Sequence, residues 1–251
     1  MLWASFFTIA SEQDPELQAL FAKHKVTGTI IIESLSGDKR YVHNDKRSKQ
    51  SFSTASTFKI PNTLIALNEN LIVGAESVIK WDGVERDYAA WNKDQSLRSA
   101  FQVSCVWCYQ YFASKIGSVK YREYIAKLGY GDLKSNFNTT TFWLDNGITI
   151  SAEQQIEFLR GVQQRRFPFA DRSYDTLRDI MLVESTESYQ LRAKTGWAAR
   201  ITPQVGWFVG YLETSEQVWL FATNLEITQK AELPLRKTIT LKALQLKGLL
   251  N

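Results

Sequence analysis

Ser56-Thr57-Phe58-Lys59-Ile60-Pro61-Asn62 (STFKIPN) is the stretch around which the rest of the chain organises. A lysine three residues after a serine, at the entry to a helix, lies on the serine's face, so amine and hydroxyl can touch. Serine is a weak nucleophile at its free pKa and needs an adjacent base. Pro61 removes one helical hydrogen bond. That predicts a tight first turn holding Ser56 and Lys59, with a regular helix from Pro61 to Asn70. The pattern S-x-x-K is common; its weight here comes from Ser104-Cys105-Val106 and Lys194-Thr195-Gly196 further along.

Working outward, Glu16 to Lys25 has a helical period. Thr27 to Leu35 and Tyr41 to His43 read as a hairpin around Ser36-Gly37-Asp38. Asp45 to Ser53 is mostly polar and reads as a surface connection. Helices are predicted at Leu97 to Ile116, Val119 to Leu128, Ala152 to Arg160 and Asp171 to Met181, and Lys127 to Asp132 carries helix-stop chemistry. The period then changes to two: Tyr189 to Thr195, Val205 to Glu213 and Gln217 to Glu226 read as strands, followed by an amphipathic helix from Leu233 to Leu250. Strands at both chain ends with helices between predict an α/β (α+β) fold, an antiparallel sheet flanked by terminal helices plus a helical subdomain. The expected division is 1–55 and 186–251 for the sheet layer, and 56–185 for the helical part.

The 44% hydrophobic and 13% aromatic content of the 251 residues is ample for a packed interior. A net charge of +4 argues for neither nucleic acid nor a membrane surface. Arg160, Arg165 and Arg166 read as cations near a helix C-terminus. The two histidines, His24 and His43, lie away from the motifs, which disfavours a Ser-His-Asp triad or a histidine-rich metal site. Cys105 and Cys108 read first as two small hydrophobes on one helical turn, with a local disulfide allowed by the spacing. Met1 to Ala10 is apolar, too short to span a bilayer, and resembles a truncated signal segment. A secreted or periplasmic protein with no stable membrane anchor is expected, as monomer or homodimer.

The three motifs meet the demands of acyl transfer: a nucleophile, a base, a proton carrier and oxyanion donors. Ser56 is the candidate nucleophile and Lys59 the candidate base. An ordinary lysine, with a pKa of roughly 10.4, is protonated at neutral pH. The apolar neighbours Phe58, Ile60 and Trp143 could lower it by burial. Ser104 could relay a proton beside the charge of Lys194. Thr195 offers a hydroxyl to a substrate carboxylate, and Gly196 admits close backbone approach. Arg236, a cation at a helix start, sits where the helix dipole disfavours it, which points to a paired or functional role. Arg200 reads as a surface-loop arginine, and Trp81 and Trp91 as packing of the helical part.

The chain resembles the class D (OXA-type) serine β-lactamases over nearly its whole length. The matching strings are Ser56 to Asn62, Lys80-Trp81-Asp82-Gly83, Ser104-Cys105-Val106, Tyr130-Gly131-Asp132, Phe142-Trp143-Leu144, Lys194-Thr195-Gly196 and Leu233-Pro234-Leu235-Arg236. Asp132 stands where the family has asparagine. The resemblance implies a β-lactamase/transpeptidase-like fold and hydrolysis of β-lactam antibiotics through a Ser56 acyl-enzyme. It implies that Lys59 takes up CO2 (from dissolved bicarbonate) as a carbamate and serves as base for acylation and deacylation. No metal or other cofactor is implied. By the same resemblance Trp143 would donate its indole N–H to the carbamate, and the backbone N–H groups of Ser56 and Trp197 would form the oxyanion hole. Arg236 would grip the substrate carboxylate, while Val106 and Leu144 would cover the carbamate. The alternatives are a non-hydrolysing β-lactam sensor or penicillin-binding domain, and a catalytically inactive peptidoglycan-binding module.

Overall fold

The computed structural model describes residues 13–250, so the expectation for Met1 to Ala10 lies outside the described residues. In chain order the elements are α1 (Pro15–His24), β1 (Gly28–Ser34), β2 (Arg40–His43), α2 (Asp45–Ser48), β3 (Phe52–Ser53), a 3₁₀ turn (Ala55–Phe58), α3 (Lys59–Asn68), β4 (Val78–Ile79), a second 3₁₀ turn (Ala89–Trp91), β5 (Gln95–Ser96), α4 (Leu97–Gln102), α5 (Val106–Leu128), β6 (Asp132–Leu133), β7 (Ile148–Ile150), α6 (Ala152–Gln163), α7 (Asp171–Ile180), β8 (Leu182–Ser185), β9 (Tyr189–Ala198), β10 (Gln204–Thr214), β11 (Val218–Ile227), a third 3₁₀ turn (Lys230–Glu232) and α8 (Leu235–Leu246).

Six strands form one antiparallel sheet in the order β2-β1-β11-β10-β9-β8. The N-terminal hairpin therefore joins the C-terminal strands through β1 and β11, with Ile31 opposite Ala222. Period-two alternation sends β10 side chains to two different cores. Val205, Trp207, Val209 and Tyr211 face the helical part. Phe208 and Leu212 face α1 and α8, packing with Leu17, Phe21, Ile239 and Leu244. Because both faces are covered, β10 and β11 read as nearly continuous apolar runs.

Several boundaries differ from the sequence reading, each for a local reason. Asp45 to Ser53 is not a plain surface connection: it contains α2 and β3, with Arg47 and Ser48 buried. Arg47 turns inward because its Nε donates to Asn224 Oδ1 (3.0 Å) and its guanidinium lies over the Phe52 ring. The predicted helix from Leu97 to Ile116 is two helices, interrupted at 103–105 where Ser104 takes a left-handed φ of 56°. The gap expected after Ile116 is a kink at Gly117. The strand β8 and the short sheets β3-β7-β6 and β4-β5 were not foreseen. Cys105 and Cys108 are joined in a disulfide, whereas packing alone was the first reading. Arg160, Arg165 and Arg166 are all spent on carboxylates, pairing with Glu33, with Asp171 and Asp175, and with Glu157 respectively.

Gly210 pairs with Ala193 across β9 and β10. A Cβ there would overlap the Arg192 carbonyl oxygen and lie 2.7 Å from Ala193 Cα. Gly210→Ala should therefore lower stability by about 1–3 kcal/mol, the usual cost of overpacking. Urea unfolding checks this: the midpoint should fall with the slope unchanged.

Candidate active site

The 3₁₀ turn Ala55–Phe58 runs directly into α3 and supplies both halves of the first motif. Ser56 is half-buried at the mouth, and Lys59 is 1% exposed beneath it. The Lys59 Nζ donates to Ser56 Oγ at 3.2 Å. Burial alone pulls the Lys59 pKa down to about 7, so near neutrality a large share of the amine is unprotonated. Its ammonium end lies 4.8 Å from the centre of the Tyr109 ring, on α5. Tyr109 is fully buried and its hydroxyl bonds Thr63, also on α3. Sequence reasoning missed Tyr109; the signal was its place three residues after Val106, on one helical face.

A second layer fixes the turn from behind. Thr57 Oγ1 donates to the Thr54 carbonyl at 2.6 Å and accepts from Gln155 Nε2 on α6 at 2.9 Å. Strand β9 packs against the same turn, and Gly196 permits it: a Cβ there would sit 3.2 Å from Thr57 Cγ2 and 3.3 Å from the Thr54 carbonyl oxygen. That matches the close approach expected of Gly196.

Ser104 and Lys194 meet as the motif order suggested. Lys194 Nζ donates to Ser104 Oγ at 2.6 Å and to the Thr195 carbonyl at 3.1 Å. Burial first, then the nearby positive charges of Lys59 and Arg236, hold the Lys194 pKa well below the usual lysine value. Arg236 Nη1 donates to the Gly196 carbonyl, and burial lowers its pKa to about 10. A cation at the start of α8 is thus stabilised by a strand carbonyl, not by the helix.

Ser56, Ser104, Val106, Leu144, Thr195, Gly196, Trp197 and Arg236 all border one cleft of about 370 Å³. Trp143 is fully buried behind it, with its ring stacked at 5.8 Å on that of Phe58. Its indole Nε1 has no hydrogen-bond partner among the described residues. The Trp197 indole, by contrast, is tied to Gln204 Oε1 at 2.9 Å. Trp81 packs on the helical core, but Trp91 also forms part of the cleft wall, which the packing reading left out. Tyr88, Val103 and Leu233 join it there. Arg200 and Lys230 also line the cleft, and with Arg236 they make its charged residues all cationic. The arrangement suits an anionic substrate presented to a serine with a buried amine at its back.

The family model for the penicillin-binding protein transpeptidase domain matches residues 19–245. OXA-48 of Klebsiella pneumoniae is 38% identical over 234 residues, which are 93% of this chain and 88% of that protein. The chain belongs to the class D β-lactamases. Other members are similar in sequence and shape. OXA-2 of Salmonella typhimurium is 36% identical over 91% of this chain and 84% of its own. The solved class D β-lactamase YbXI from Nostoc shares 42% identity with a TM-score of 0.91, over 93% of this chain and 99% of that one. FUS-1 (OXA-85) from Fusobacterium nucleatum superposes with a TM-score of 0.92 at 31% identity, over 96% of this chain and all of the other. Among the described residues no helix is long and apolar enough to cross a membrane.

Burying Lys59 opposes folding. Its folded pKa of about 7 lies below its unfolded value, so between about pH 7 and 10.5 the unfolded chain binds the extra proton and the folded state gains relative stability as pH rises. In CO2-free buffer, Lys59→Met should therefore raise the thermal midpoint, by about 2–4 °C for each kcal/mol relieved. The gain should be greatest below pH 7 and shrink towards pH 10, which calorimetry across that range would measure.

Proposed function

We propose that this class D β-lactamase hydrolyses β-lactam antibiotics through an acyl-enzyme on Ser56, with Lys59 carrying a carboxyl group taken from CO2. The observation that carries the second half of this reading is the Trp143 indole N–H, fully buried and without a partner among the described residues. Leaving such a donor unsatisfied costs about 1–3 kcal/mol. A carboxylate on the Lys59 nitrogen offers the missing acceptor, and an amine with a pKa of about 7 supplies the neutral form that CO2 requires. A carboxyl bound there supplies a base, for acylation and for the water that releases the acyl group, where the ammonium could only donate. Trp143 would hold it, beneath the cover of Val106 and Leu144.

The positions of the remaining residues support a role for each. Ser56 Oγ passes its proton to the base at Lys59 and attacks the lactam carbonyl carbon, the ring C–N bond breaks, and the ring nitrogen takes a proton. Ser104 is suited to deliver that proton, because Lys194 Nζ donates to its oxygen at 2.6 Å, which favours its hydroxyl as a donor and gives a route for a replacement proton. The backbone N–H groups of Ser56 and Trp197 would meet the oxyanion, each worth about 10²–10³ in rate. Thr195 and Arg236, beside the carbonyl of Gly196, would take the substrate carboxylate, where a guanidinium fork pairs well. Water attack on the ester then returns the Ser56 hydroxyl and the opened acid. Export to the periplasm fits such a role.

Three measurements test this. Mixed with a chromogenic cephalosporin, the protein should turn over many equivalents; a single stoichiometric burst would instead mark a sensor or transpeptidase, and silence a binding module. Activity should fall as pH drops through about 7, where Lys59 protonates, and added bicarbonate should restore part of it. Trp143→Phe removes the donor together with the five-membered part of the indole, so turnover should drop about 10- to 100-fold, as for a lost charged hydrogen bond, alongside a stability loss of about 1–3 kcal/mol from the small cavity left in the core. Full activity in Trp143→Phe at every bicarbonate level would contradict the assignment.

A further inference from the structure

Ser104 is held in a conformation that its own chemistry disfavours. A non-glycine residue at φ 56° is sterically disfavoured and persists only where its surroundings fix it. The Lys194 bond reaches its side chain, and the N–H groups of Ser104 and Cys105 close the end of α4 on the carbonyls of Phe101 and Ala100, at 3.2 and 2.9 Å.

Further contacts hold the turn from both sides of Ser104. Cys105, the next residue, caps α5: its sulfur accepts from the Cys108 N–H at 3.2 Å and is bonded covalently to the Cys108 sulfur. Both cysteines are fully buried. On the other side, the Trp91 indole donates to the carbonyl of Val103 at 3.0 Å, and the Trp107 indole donates to the carbonyl of Trp91 at 2.9 Å. Trp107 lies inside the loop closed by the two cysteines. The disulfide and the indole chain thus converge on a single five-residue turn, from Val103 to Trp107. That turn also presents Val106 to the cleft.

We propose that the Cys105–Cys108 disulfide is a positioning device for the reaction: it clamps the turn so that the Ser104 hydroxyl stays between Lys194 and the leaving nitrogen. This inference rests on the function proposed above, in which Ser104 protonates that nitrogen during acylation. The disulfide acts through Ser104 and touches no substrate.

The test is a cycle of four proteins: wild type, Cys105→Ala/Cys108→Ala, Ser104→Ala, and the triple variant. Each is titrated for folded, acylatable sites, and the acylation rate constant is measured well below the thermal midpoint. Removing the disulfide should slow acylation about 10- to 100-fold, the scale expected for a misplaced catalytic group. In the Ser104→Ala background the same removal should change acylation less than twofold, because the hydroxyl it positions is gone. Equal losses in both backgrounds, or a lower midpoint with acylation unchanged, would overturn the proposal and leave the disulfide a stabilising link only. If the alanine pair fails to fold, wild type reduced and thiol-counted by mass spectrometry takes its place, and reoxidation should restore the rate. Failure of the wild type itself to acylate would refute the proposed function instead, a distinct result.

Discussion

Everything in this site depends on keeping one lysine dry. Lys59 must lie against Ser56 to serve it, yet a lysine in water is an ammonium that can only donate. The fold resolves the conflict by burying the amine beneath the nucleophile, against the Tyr109 ring and within the aromatic core of Phe58, Phe142 and Trp143. The same burial that makes the side chain costly makes it chemically useful, since it lowers the pKa to about 7. Stability is given up locally and recovered in the surrounding core, a trade expected where function requires a strained or desolvated group.

The sheet explains how three distant motifs reach that lysine. β9 carries Lys194, Thr195 and Gly196 along the Ser56 turn, and its neighbour β10 anchors it there, with the Trp207 indole donating to the Ser53 carbonyl at 2.9 Å. Ser53 in turn bonds the carbonyl of Trp143 at 3.2 Å. The Ser56 turn, strand β9 and the tryptophan behind the lysine are therefore held in one hydrogen-bonded frame. Movement of any of them would change the distances among Ser56, Lys59 and Ser104.

Much of this was legible in the sequence, and the misses have physical causes. The long strands β9, β10 and β11 and the helices α1, α3, α6, α7 and α8 have clear periods, so their existence and type could be read. The break between α4 and α5 could not: the apolar period runs on through 103–105, and no pattern marks a serine for left-handed backbone. Two-residue strands such as β3 and β4 are fixed by partners far along the chain, which a local period cannot show. At the site, the residues of the recognisable motifs, Ser56, Lys59, Ser104, Lys194 and Arg236, lie at the cleft or directly beneath its lining. Tyr109, Gln155 and Trp91 were not, because an aromatic or an amide on a buried helical face looks like packing until its neighbour is known to be a lysine, a hydroxyl or a cleft.

The claim that Lys59 works as a carboxylated residue can be tested directly by NMR of the protein equilibrated with isotopically labelled bicarbonate. The account predicts one labelled carbamate signal per active site at neutral to alkaline pH, fading as pH falls through about 7 and absent from Lys59→Ala. A wild-type enzyme that turns over β-lactams without that signal, or a signal that survives in Lys59→Ala, would contradict it.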